Sequence, residues 1–192
     1  MLAVSIPLDY AQRGSSLAWA ALAGRQTLET LVHHPQHDVV DRSAGTRFFY
    51  HAHPVAGDVS QEHGHFHLFH ANGQGTSHLA ALSLDGQGRP LRWFSTNQWV
   101  TGERWRAARA WPEVIRGFSV QTHGRLAPVA RWLSAMVRLY RDELQALLHE
   151  RDATVAREAP TARARQLLFN NRQLHILCSQ PVSLQSKVQS LL

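Results

Sequence analysis

Cysteine is nearly absent: Cys178 is the only one among 192 residues. That excludes an internal disulfide and a cysteine-based zinc site alike. Long apolar runs are lacking too. The longest uninterrupted one, Leu17 to Ala23, falls well short of the roughly 20 residues a bilayer-crossing helix needs, so no membrane partner or span is expected. A secretory leader is not expected either, because the first twelve residues contain Asp9 and no lysine or arginine, whereas such leaders carry a basic start. A cytoplasmic location follows as the expectation. Lysine is almost missing as well, with Lys187 the only one and the other nineteen basic side chains arginine.

What is present supports a folded chain, since 44% hydrophobic and 18% charged residues are enough to bury a core. The charge is unevenly placed. Residues up to Gly102 carry six basic and seven acidic side chains, while Glu103 to Leu192 carry fourteen basic and seven acidic, which accounts for the net charge of +6. A pI near 10.6 raises nucleic acid as a partner, because arginines neutralise phosphates. The excess is small, however, and the arginine bias is equally a codon preference, so nucleic acid is not expected. Arg104-Trp-Arg-Ala-Ala-Arg-Ala-Trp111 has aromatic residues able to stack on bases; the plainer reading is a helix with its tryptophans packed inward.

The pattern along the chain changes period twice. Ser15 or Ser16 is placed to cap a first helix over 15–33, with Leu17, Ala21, Gly24, Leu28 and Leu31 at helical spacing, stopping before Pro35. A polar linker, His34 to Gly45, follows. Between 46 and 95 lie short aromatic and aliphatic runs separated by turn clusters at Pro54–Gln61, Asn72–Gly75 and Asp85–Gly88. This reads as a small antiparallel sheet, with Asp85-Gly86 a hairpin signal between the last two strands. From 103 to 165 the period is helical again, the longest helix being expected over 128–150 with Val129, Leu133, Met136, Val137, Tyr140, Leu144, Leu147 and Leu148 as its apolar stripe. A late strand is expected over 172–179. The whole, residues 1–192, reads as a single α+β domain in which about four to five strands pack against helices.

Histidine is the unusual residue. Seven of thirteen lie between His51 and His78, in the strand-rich third. Side chains alternate across a strand, so His51 and His53 share one face, as do His63, His65 and His67. If the two strands pair, up to five imidazoles converge, a set suited to a divalent transition metal, zinc first. The alternatives are ordinary polar positions on the solvent face of a sheet, or core histidines bonded to backbone carbonyls, and, at the level of function, a non-catalytic interaction module. Hydrolysis at such a metal needs a base, and the nearby carboxylates are Glu62 and Glu103. Glu62 points away from the histidine face in a regular strand but can turn inward at a strand start. Glu103, at the expected start of a helix, can approach from the loop and is the preferred base. The substrate is an unspecified small molecule, and oligomeric state is not legible.

Three resemblances bear on this segment. His63-Gly-His-Phe-His-Leu-Phe69 resembles the motif of histidine-triad nucleotide hydrolases and transferases, with glycine in one hydrophobic slot, which implies His65 as the attacking residue. Gly57 followed by His63-x-His65 is similar to the first cupin metal motif, without the glutamate expected after it. Tyr50-His-Ala-His-Pro54, Glu62-His-Gly-His-Phe-His67, His78-Leu-Ala-Ala-Leu-Ser-Leu-Asp85, Thr96–Trp105 and Arg131–Leu139 together resemble an uncharacterised bacterial family of unknown function. That likeness spans most of the chain and implies no activity or cofactor.

Overall fold

Six consecutive strands pair antiparallel in chain order among the residues that the computed structural model describes, 1–53 and 61–191. Most of the Pro54–Gln61 connection, with Gly57 and Asp58, lies outside them. The strands are β1 (His34–Asp41), β2 (Thr46–His51), β3 (Gly64–Asn72), β4 (Gly75–Leu84), β5 (Pro90–Thr96) and β6 (Ile176–Pro181). The count exceeds the expected four to five because β1 occupies the segment read as a linker. Its residues are polar, but Val39 and Asp41 are buried while Val40 between them is exposed, the alternation of an edge strand. The late strand begins four residues after the expected start, at Ile176.

Even-numbered positions of β2 and β3 form one face. Phe48, Tyr50, Phe66 and Leu68 are fully buried there, with Leu82 and Trp93 from the next strands. They meet α5 (Ala127–Leu139) and α6 (Arg141–Glu158). Trp132 of α5 lies 6.2 Å from Phe66, centroid to centroid, and Cys178 donates its thiol hydrogen to the Leu147 carbonyl of α6 at 3.4 Å. The expected 128–150 helix is therefore two helices, broken where Tyr140 adopts ψ 27°. Every residue of its predicted stripe is nonetheless buried, because the break preserves the inward face. Each such large apolar side chain stabilises the fold by about 1.5–3 kcal/mol.

The single N-terminal helix expected over 15–33 is not formed. Instead α1 spans Leu2–Gln12 and α2 only Leu17–Ala21. Ser16 does cap, accepting from the Trp19 N–H at 3.3 Å, but Ala23 and Gly24 take φ of 56° and 96°, which ends the helix. Packing holds α1 in place: Trp132 Nε1–H donates to the Ala3 carbonyl at 3.3 Å. After β5 come α3 (Gln98–Thr101) and α4 (Pro112–Gly117), and after α6 come α7 (Ala162–Phe169) and α8 (Leu184–Gln189). Residues 103–107 are not helical. Glu103 follows Gly102, the left-handed end of α3, and so does not start a helix. No helix among the described residues is long and apolar enough to cross a membrane.

Candidate metal centre

The odd-numbered face of the sheet carries the histidines. β2 and β3 pair in the register His51 with His65 and Phe49 with His67, so alternation places all four side chains on the face turned away from α5 and α6. Ring centroids are 4.6 Å apart for His51 and His65, 5.1 Å for His51 and His67, and 4.8 Å for His65 and His67. One nitrogen from each lies within 4.8 Å of the other two. His65 and His67 are 3% and 1% exposed, whereas His51 is half-buried. His53, just past β2, brings its Nε2 to 3.1 Å from that of His51, and its ring lies 5.4 Å from His65.

His63 does not join them. Its Nδ1 lies 2.7 Å from the Tyr50 hydroxyl and its ring 5.9 Å from Trp19, so it belongs with the helix-covered side. It precedes the first residue of β3, where strict alternation has not begun. Gly64 makes this possible, since a Cβ there would stand 2.7 Å from the Tyr50 ring and 2.8 Å from the His51 carbonyl oxygen. The histidine-triad likeness implies three histidines on one strand face, and His63 leaves that face.

Glu62 turns inward rather than away. Its Oε1 accepts from His65 Nδ1 at 2.6 Å, and its Oε2 lies 3.5 Å from Arg92 Nη2. A carboxylate only accepts, so the proton sits on His65 Nδ1 and the lone pair on Nε2. Burial by itself raises the Glu62 carboxyl, but the hydrogen bond from His65, with the hydrogen bond and charge of Arg92, outweighs this and holds it below its usual range. Glu103 is elsewhere. Its carboxylate pairs with Arg47, whose Nε is 3.4 Å from Asp38 Oδ2 and whose guanidinium covers Phe69 at 4.3 Å.

Two participants were not singled out by sequence as members of the site. His78 Nε2 lies 3.0 Å from His67 Nδ1. In an unbroken ladder His78 would face the helices, but the β3–β4 register shifts between Leu68 and Phe69, bringing His78 opposite Phe69; a bulge of this kind leaves no sequence signal. His33 stacks on Phe49 at 3.6 Å and donates to Asp38 Oδ1 at 2.9 Å.

Burial, reinforced by neighbouring imidazoles, pushes His51 down to about 3 and His67 well below its ordinary value. Burial lowers His53 too, with help from His65 and His175. These rings are thus neutral near pH 7, the form in which imidazole binds metals. His67 Nε2 is buried without a hydrogen-bond partner among the described residues, a state that normally costs about 1–3 kcal/mol. The group could hold a metal ion.

No curated protein matches the chain, and no solved structure does. Residues 3–182 match a family model described as Domain of unknown function (DUF6969). With the match running through β1 to β6 and all the histidines of the centre, the chain belongs to the DUF6969 family.

Proposed function

We propose that this protein binds one divalent transition metal, zinc first, through Nε2 of His51, His65 and His67, with His53 as a fourth ligand on the solvent side. The observation that carries this is the convergence of three imidazole nitrogens within 4.8 Å. Zinc ligands at 2.0–2.1 Å are roughly 3–4 Å apart, so small ring rotations close the set. The donor chemistry favours zinc or another late first-row metal over calcium or magnesium, which take oxygen ligands. Glu62 completes a carboxylate–histidine–metal arrangement that orients His65.

Burial is lopsided: His65 and His67 are enclosed while His53 is exposed. The enclosed ligands hold the ion while exposed His53 is the one that can give way to water, and in that three-histidine form the site would act as a metal-dependent hydrolase, the bound ion supplying Lewis-acid polarisation of a small-molecule substrate. Glu62 is bound to His65 and would orient it, so Glu103 is kept as the candidate base, a role for which its carboxylate would have to leave Arg47; His65 acts as a ligand rather than as an attacking group. Metal analysis of tag-free protein tests the binding reading. Stoichiometric zinc in the wild type, lost from a His65→Ala/His67→Ala variant, supports it, and metal-free protein that takes up no zinc on titration overturns it. Glu103→Gln that abolishes ester hydrolysis with unchanged metal content supports the base assignment; unchanged turnover overturns that assignment alone.

A further inference from the structure

A line of buried hydrogen bonds leads away from the centre. His67 Nδ1 lies 3.0 Å from His78 Nε2, and His78 Nδ1 lies 3.2 Å from Thr96 Oγ1. Both rings are buried, as is Thr96. Beyond Thr96 is a cavity of about 20 Å³ bordered by His78, Asn97, Glu103 and Arg151, room for about one water molecule.

Each imidazole in this line has one N–H and one lone pair, so the direction of a single hydrogen bond sets all the others. If His67 carries its proton on Nε2, then its Nδ1 accepts from His78 Nε2–H, and His78 Nδ1 accepts from the Thr96 hydroxyl. A buried N–H then points into the histidine group with nothing to receive it. If His67 carries its proton on Nδ1, it donates to His78 Nε2, His78 Nδ1–H donates to Thr96 Oγ1, and the freed Thr96 hydroxyl hydrogen turns to the cavity. Only this second direction leaves the His67 Nε2 lone pair free for a metal.

We propose that His78 is a positioning residue for the centre: with Thr96 behind it, it selects the Nδ1–H form of His67 and so presents Nε2 to the metal. This rests on the metal reading above. Glu62 does the same for His65 with a fixed acceptor, whereas the His78 relay can run in two directions, of which only the one with His78 Nε2 as acceptor accommodates the metal. No net charge changes: the His78 Nε2 proton passes to His67 Nδ1 and the Thr96 proton to His78 Nδ1, while His67 gives up its Nε2 proton to solvent and Thr96 takes one from solvent on the cavity side, so that each ring keeps one N–H and Thr96 its hydroxyl.

The test uses the full chain and zinc. Chelator-competition titrations compare the wild type with His78→Leu, which removes the acceptor, and His78→Gln, whose side-chain oxygen replaces Nε2 as acceptor. Loss of an outer partner of a metal-bound histidine weakens binding by about 10–100-fold, so that loss is expected for His78→Leu, with affinity recovered in His78→Gln. Equal affinity in His78→Leu and wild type overturns the proposal while leaving the metal reading intact; a wild type that binds no zinc overturns both. Nitrogen-15 spectra of zinc-loaded wild type keep the test independent of how the variants fold. Protons on Nδ1 of both His67 and His78 support the relay, and a proton on Nε2 of His78 overturns it.

Discussion

Single atoms decide whether this site works. The Glu62 oxygen 2.6 Å from His65 Nδ1 is the contact that frees His65 Nε2, so Glu62→Gln, which weakens the acceptor and removes its charge, is expected to lower zinc affinity about 10–100-fold by chelator competition. Gly64 is the other sensitive residue. A methyl group there meets both the Tyr50 ring and the His51 carbonyl oxygen inside contact distance, so Gly64→Ala is expected to destabilise the fold by about 1–3 kcal/mol, read as a lower urea midpoint with unchanged slope. Histidine density and alternation made His51, His65 and His67 legible from sequence. His63 was not, because the parity rule holds only inside a strand, and His78 was not, because the bulge that turns it inward is a property of two strands together.

At the level of elements, β1 is held to the segment before α5 by one carboxylate. Asp41 Oδ1 accepts from Ser43 Oγ, Ser43 N and Ala44 N at 2.6, 3.0 and 3.1 Å, and Oδ2 accepts from Gln121 N at 2.9 Å. The Ser43 hydroxyl first, with the backbone donors and against burial, holds its pKa below the usual range. A lowered carboxylate stabilises the fold fully above its unfolded pKa of about 3.9, and that stability is lost as pH falls through the lower folded value. Asp41→Asn is expected to be less stable than wild type at pH 7, with the difference shrinking below about pH 3.9 in urea titrations; a pH-independent difference would count against this role. The sheet's hairpins and the buried stripe of α5 and α6 were readable because turn chemistry and periodicity are local. The first helix is shorter than its apolar spacing suggests because the spacing continues through Ala23 and Gly24, where positive φ ends it, and α1 is not legible locally because its support comes from distant Trp132.

Across the whole molecule, the two faces of the sheet divide the work, one buried under helices for stability and the other gathering imidazoles. The arginine-rich half contributes to internal contacts: Arg106, Arg151 and Arg172 lie over Trp111, Trp105 and Trp99 at 4.7, 4.1 and 4.9 Å. The arginine–tryptophan run legible in the sequence is thus partly engaged within the chain. Because the proposed ligands come from β2, β3 and the chain just beyond β2, zinc binding would be linked to global folding. Free zinc at a hundred times its dissociation constant is expected to stabilise the wild type by about 2.7 kcal/mol, visible as a raised melting temperature that the His65→Ala/His67→Ala variant does not show. The most direct measurement is the X-ray absorption spectrum of stoichiometrically zinc-loaded, tag-free protein. The account predicts a first shell of nitrogen at about 2.0–2.1 Å with the outer-shell scattering of at least three imidazoles. A shell dominated by oxygen without imidazole scattering would contradict it.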